Sequence, residues 1–233
     1  MDDELAKVNP SLLRDATTGC PRRLALEHLG QRGTRPSDVR FRVSETLESH
    51  ARIAQLELGP PNVAEFVGDP RLTSEERALY DHAAGWYLAL FGGRAARTVD
   101  LGDDTWARDR PDLGVRLTSR PPLAFEDDRG LELRVLHYNA RRAPDPLLDD
   151  VEVRLDVLRF AHRAQGSLRI EVADLVRGEH VVVDVEPATV DELEAWLQDS
   201  IGRLRAAVDK DRPRIGPDCG WCRFVAGCKA HAA

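Results

Sequence analysis

Pro217-Asp218-Cys219-Gly220-Trp221-Cys222-Arg223-Phe224-Val225-Ala226-Gly227-Cys228 carries three of the chain's four cysteines, spaced C-x2-C-x5-C. The fourth, Cys20, stands about two hundred residues earlier. Four thiolates suffice to hold a 4Fe-4S cluster or a structural zinc ion. Zinc ribbons usually offer two close pairs of ligands, whereas this set is one plus three, an arrangement that favours iron–sulfur. Zinc is the alternative, and unligated or disulfide-bonded cysteines are the remaining one. A metal held by this set ties the two ends of the fold together. The stabilisation from closing so long a loop grows slowly with its length, yet losing the metal loosens both segments at once. Trp221 and Phe224, between the cysteines, are expected to shield a cluster from solvent.

Working outward, 233 residues suit a single domain over 1–233, long enough to bury a core. No run of about eighteen apolar residues appears, so no spanning helix and no membrane partner are expected. Met1-Asp2-Asp3-Glu4 is acidic and has no apolar signal region, which makes the cytoplasm the expected location. Thiols stay reduced there, and cysteines serve more readily as metal ligands than as disulfides. The formal net charge of −7 argues against a protein that coats nucleic acid non-specifically. It leaves room for a local basic groove, for which Arg22-Arg23 and Arg141-Arg142 are candidates; solvated surface arginine is the plainer reading of each.

The first third reads as helical. A short helix from near Ser11 leads to Cys20. Ser44 is expected to cap a helix reaching Leu58 and stopping at Gly59-Pro60-Pro61. Thr73-Ser74-Glu75-Glu76 is a capping box, and its helix carries Leu79, Tyr80, Ala83, Trp86, Tyr87 and Leu90 before Gly92-Gly93. The helical part spans about 37–95. Short alternating segments at Thr98–Leu101, Leu113–Leu117 and Leu131–Tyr138 predict a three-strand meander, with polar turns such as Glu126–Gly130 between strands. A helix over about 150–165 follows. Leu168–Leu175 and His180–Glu186 then form a hairpin around Arg177-Gly178, and a second capping box at Thr189–Glu192 opens a last helix. The expected fold is α/β, a central mixed sheet over about 98–186 flanked by helices, with the cluster-binding ends at Cys20 and 219–228.

These residues carry a resemblance. Ser11-Leu12-Leu13 through Cys20-Pro21-Arg22-Arg23-Leu24, together with the 217–228 segment, resembles the opening and closing segments of the PD-(D/E)XK nucleases of the RecB type that carry an iron–sulfur staple, including the AddB nuclease domain and the CRISPR-associated adaptation nucleases. It implies a restriction-endonuclease-like core and a structural 4Fe-4S cluster on Cys20, Cys219, Cys222 and Cys228. It also implies a nuclease site in four parts. The family's histidine on an early helix resembles His50. Its metal-binding aspartate at a strand start resembles Asp112 in Arg110-Pro111-Asp112-Leu113-Gly114, a carboxylate suited to Mg or Mn through oxygen.

The third part is an acid and a lysine two apart on the next strand. Aligned on Val135, Tyr138 and Arg142, those positions hold His137 and Asn139 here. Histidine suits softer ions than Mg2+, and asparagine cannot take up a proton to activate water. A second register places Glu132 and Arg134 on one face of the strand, but arginine stays protonated and is a poor substitute for a tunable lysine. In the fourth part, a helix, Asp156 and Phe160 replace the family's Gln and Tyr.

The scaffold and staple thus resemble the family while the catalytic strand is eroded. The resulting expectation is a cluster-containing nuclease-fold protein without catalysis, binding DNA or scaffolding a protein partner in a repair, recombination or defence complex. The alternatives are an active Mg- or Mn-dependent DNA exonuclease with a divergent site, and a zinc-stapled protein-interaction module.

Overall fold

The structure, a computed structural model, describes residues 5–18, 39–102, 106–138, 146–164 and 166–208. In chain order these form β1 (Ala6–Val8), α1 (Pro10–Thr18), α2 (Val39–Ala54), α3 (Ser74–Phe91), β2 (Arg97–Thr98), β3 (Ala107–Arg110), β4 (Val115–Thr118), β5 (Leu123–Asp127), β6 (Gly130–His137), α4 (Pro146–Asp149), α5 (Val151–Phe160), β7 (Ser167–Asp174), β8 (Glu179–Val185) and α6 (Pro187–Val208). The fold is α/β, with mixed sheets flanked by helices. Among the described residues no helix is long and apolar enough to cross a membrane. They divide into two compact units, one of 5–18, 106–119 and 191–208, the other of 39–102, 120–138, 146–164 and 166–190.

In the first unit β4 lies between β1, parallel to it, and β3, antiparallel to it. Val8, Val115 and Leu117 are buried, as are Leu12 and Leu13 of α1. Leu193, Leu197, Ile201 and Leu204 are buried at helical spacing along α6, the stripe an amphipathic helix needs. A one-turn 3-10 segment, Pro111–Leu113, joins β3 to β4 and ends at Gly114, whose φ of 62° is the left-handed conformation glycine adopts at no steric cost.

The second unit is built on a five-stranded sheet of order β2-β5-β6-β7-β8. Only β6 and β7 run parallel, and the chain between them passes through α4 and α5, because parallel neighbours need a crossover. Alternation sorts β6 into two sets. Leu131, Leu133, Val135 and His137 point to one face; Glu132, Arg134, Leu136 and Tyr138 point to the other. The second face packs on α2 and α3 through one core containing Val43, Leu47, Ala51, Tyr80, Ala83, Tyr87, Phe91, Leu123, Phe125, Tyr138 and Ala173. Asp150, the N-cap of α5, reaches His137 on the first face.

One cap forms as its spacing requires, and some helix boundaries differ from expectation. α2 ends at Ala54 rather than Leu58, and α6 starts at Pro187, so the Thr189–Glu192 box lies inside it and does not open it. Thr73 accepts from the Glu76 amide while the Glu76 carboxylate accepts from the Thr73 amide, as the capping-box spacing requires. Ser44 differs from expectation: α2 already runs at Val39, and Ser44 sits inside it, buried, its hydroxyl donating to Phe41 O at 2.8 Å. A serine can satisfy its hydroxyl on its own helix backbone, so cap chemistry alone does not place a helix start.

The strands differ more. The meander does not form as one unit, because Leu123–Asp127 is a strand absent from the sequence reading and it separates β2 from β6. The second segment of the expected meander, Leu113–Leu117, supplies β4, which pairs instead in the three-stranded sheet. Leu123-Ala124-Phe125 is a short apolar run buried on both faces, and such runs show no alternation to read.

Candidate functional site at the end of the central strand

β6 ends at the buried His137, and the buried Tyr138 follows it directly. His137 Nε2 lies 3.2 Å from Asp150 Oδ2, an ion-pair approach without hydrogen-bond alignment. Asp150 is fixed there because its side chain caps α5, accepting from the Glu152 amide at 2.9 Å. The β6–β7 register sets His137 beside Asp174. Asp174 Oδ1 accepts from the Val176 and Arg177 amides, while Oδ2 is buried with no hydrogen-bond partner among the described residues. On the opposite face the Tyr138 hydroxyl is buried and likewise lacks a partner there. Burial pushes the Tyr138 phenol well above its usual range.

Glu48 joins this end from α2. It is 8 % exposed, with Arg120 Nη2 at 3.1 Å and Arg52 Nη2 at 3.9 Å from its Oε2. Arg120 also donates to the Ser44 hydroxyl at 2.8 Å, so one guanidinium holds two residues one helical turn apart. Burial raises the Glu48 carboxyl to about 7; Arg120 and Arg52 pull it down, and Glu152 and Glu45 add to the rise. A carboxyl in that range can hold or release a proton near neutral pH.

The residues expected from the sequence are distributed as follows. His50 is on α2, and its Nδ1 is 2.6 Å from the Tyr80 hydroxyl. It borders a polar cleft of about 300 Å³ with Arg42, Ser49, Asp69 and Arg71. Both arginines there already hold carboxylates, Arg42 on Glu76 and Arg71 on Asp69. Asp112 belongs to the three-stranded unit. Arg110 donates to both its oxygens, at 3.0 and 2.8 Å, and holds its carboxyl below the usual range. Arg110 also grips Glu194 of α6.

Glu132 is fully buried in the five-stranded unit. Its Oε1 accepts from Arg134 Nε at 2.5 Å, and its Oε2 accepts from Arg94 at 2.6 Å and from Arg169. Arg94 and Arg169 also bind Glu171, whose carboxyl burial would raise but whose arginines hold below its usual range. Arg134 lies between the Phe91 and Phe125 rings, 4.2 and 3.9 Å from their centroids, and donates to Gln55 and the Tyr87 hydroxyl. Three guanidinium groups bind this one carboxylate, and its complete burial leaves no Glu132 oxygen exposed to solvent.

Asp156 and Phe160 are buried on α5. Asn139, Cys20, Cys219, Cys222 and Cys228 lie outside the described residues. No group of three or more His, Cys, Asp or Glu able to hold a metal occurs among the described residues. The donor chemistry of four thiolates suits a 4Fe-4S cluster or zinc.

Sequence reasoning missed Glu48, Arg120 and the caps around His137. A signal for Glu48 existed, since Val43, Leu47, Ala51 and Ala54 form the buried stripe of α2, and residues 44 and 48 adjoin it at helical spacing. Nothing local marked Arg120 or Asp150, whose roles depend on strand pairing and on the crossover. No family model matches this chain, and no curated protein matches it.

Proposed function

We propose that this chain is a nuclease-fold protein that binds rather than cleaves. Cys20, Cys219, Cys222 and Cys228 hold a 4Fe-4S cluster as a staple, and the cytoplasmic protein serves as a DNA-binding or scaffolding component of a repair, recombination or defence complex. Support for the cluster is the one-plus-three cysteine spacing and the resemblance of the segments around it. The observation that carries the loss of cleavage is Glu132. Of the two registers for the catalytic strand, one offers His137 and Asn139 in place of an acid and a lysine. The other offers an acid already surrounded by Arg94, Arg134 and Arg169. Neither supplies a carboxylate open to Mg2+. The acidic net charge of −7 agrees with recognition through a local surface.

The test uses anaerobically purified protein with measured iron and acid-labile sulfide. It is incubated with single- and double-stranded DNA and Mg2+ or Mn2+, beside Asp112→Ala. The reading expects full iron and sulfide, no cleavage, and retention of one DNA form or of a protein partner. Metal-dependent cleavage that disappears in Asp112→Ala would make the protein an exonuclease with a divergent site. Separately, Cys222→Ser is expected to lose iron and lower the melting temperature; full iron content and unchanged melting would remove the staple.

A further inference from the structure

The described strands present four sheet edges, and three carry features that discourage pairing with another chain. β2 is two residues long, β1 is three and includes Lys7, and β3 holds Arg108, Asp109 and Arg110 among its four. β8 is different. It runs for seven residues and pairs with β7 in unbroken register from Leu168↔Val185 to Asp174↔Glu179, with no bulge. It contains no proline, and no strand pairs with its outer edge among the described residues.

Its centre is His180-Val181-Val182-Val183, uncharged apart from any proton on the histidine and rich in a residue type that favours strands. Val181 and Val182 are 38 % and 45 % exposed and point to opposite faces. Both faces of the edge therefore offer apolar side chains to an added strand. Acids frame this centre: Glu179 at one end, Asp184 and Glu186 at the other, all exposed.

That frame selects the occupant. A second copy added antiparallel sets Glu179 against the segment Asp184–Glu186 at both ends, and a parallel copy in register sets each acid against itself. Like charges directly opposite destabilise a strand pair. A segment with apolar β-branched residues in the middle and lysine or arginine at its ends meets the valines and reverses the sign of every end contact. The geometry points to β8 as a docking strand that adds an extended, basic-ended segment of a partner protein to the five-stranded sheet through main-chain hydrogen bonds. This holds whether or not the chain cleaves DNA.

The test is hydrogen–deuterium exchange on the full chain with two synthetic peptides, Lys-Val-Thr-Val-Thr-Val-Lys and Glu-Val-Thr-Val-Thr-Val-Glu. The lysine peptide is expected to slow exchange of the outward amides of 179–185 at least tenfold, and the glutamate peptide to leave them unchanged. In the Glu179→Lys/Glu186→Lys variant, both changes at exposed positions, the preference inverts. Unchanged β8 exchange with both peptides overturns the proposal. So does equal slowing by both, which would make the edge unselective. Slowing produced by raising protein concentration alone would make the occupant a second copy and overturn it as well.

Discussion

Glu132 and Arg134, near the start of β6, and His137 and Tyr138, at its end and just beyond it, are all buried, yet their surroundings differ. At the start, Arg94, Arg134 and Arg169 interleave with Glu132 and Glu171, and Phe91 and Phe125 cover the Arg134 guanidinium. Each charge has a counter-charge that offsets its removal from water. Arg134 Nη2, the one buried side-chain atom of this cluster without a hydrogen-bond partner among the described residues, belongs to a guanidinium covered by aromatic rings. At the end, the Tyr138 hydroxyl and one Asp174 oxygen have no hydrogen-bond partner among the described residues, the Asp174 oxygen lying 3.9 Å from Arg177, and burial lifts the Glu48 carboxyl to about 7. The difference separates charge kept for architecture from polarity kept at a cost to stability. The second kind is where function is usually found.

The strongest way to break that comparison is Arg134→Ala. Removing one member of a buried ion network leaves its partners desolvated and unpaired, which costs about 3–5 kcal/mol. Urea unfolding followed by circular dichroism measures it. A loss below about 1 kcal/mol, the range of an exposed pair, would show that the start of β6 is no more bound by its charges than the surface is.

Glu48→Gln sharpens the other end. The ordinary carboxyl value is 4.5 and burial lifts it to about 7 in the folded chain, so the folded state binds the proton more tightly than the unfolded state. The stability from Glu48 is therefore fully present below about pH 4.5 and is lost as pH rises to about 7. The loss is on the order of 3 kcal/mol. The glutamine variant resembles the protonated form. It should match the wild type near pH 4.5 and exceed it in stability above pH 7. A difference between the two proteins that does not vary with pH would sink this account of Glu48.

Smaller effects follow. Tyr138→Phe removes a buried hydroxyl that makes no hydrogen bond among the described residues, so the melting temperature should hold or rise, with a change within about 1 kcal/mol. A loss of 2 kcal/mol or more would mean the hydroxyl is satisfied and the end of β6 is ordinary core. Asp112→Ala should change stability least, by about 0–1 kcal/mol. The Asp112 side chain is 57 % exposed, and Arg110 keeps Glu194 as a partner when it is gone. A larger loss in thermal melting would give Asp112 a structural role that its exposure does not suggest.

The helices were the readable part of this chain. The Thr73 capping box appears as its spacing requires, and the apolar stripe of α2 identifies its buried face, because both depend on residues three or four apart. Partition among sheets was not readable. Leu123-Ala124-Phe125 shows no alternation, and its strand takes the place between β2 and β6 that the expected meander gave to 113–117. The candidate site was half legible. Asp112, Glu132 and His137 stand out as residue types in strand contexts, but what surrounds each one does not. Arg94 and Glu132 are 38 positions apart and Arg94 and Glu171 are 77 apart, and no local pattern announces such meetings.

By itself the sequence determined the α/β class, most of the helix and strand segments, the two faces of β6, and the one-plus-three spacing of the four cysteines. These follow from backbone periodicity and residue chemistry, which act over a turn of helix or a few residues of strand. Only the tertiary structure decided that Glu132 is enclosed by arginines, that Glu48 is held beside the end of β6, and that β8 is the outer strand of its sheet among the described residues. Those outcomes depend on which strands become neighbours and how much water is excluded between them, quantities set by the packing of distant segments.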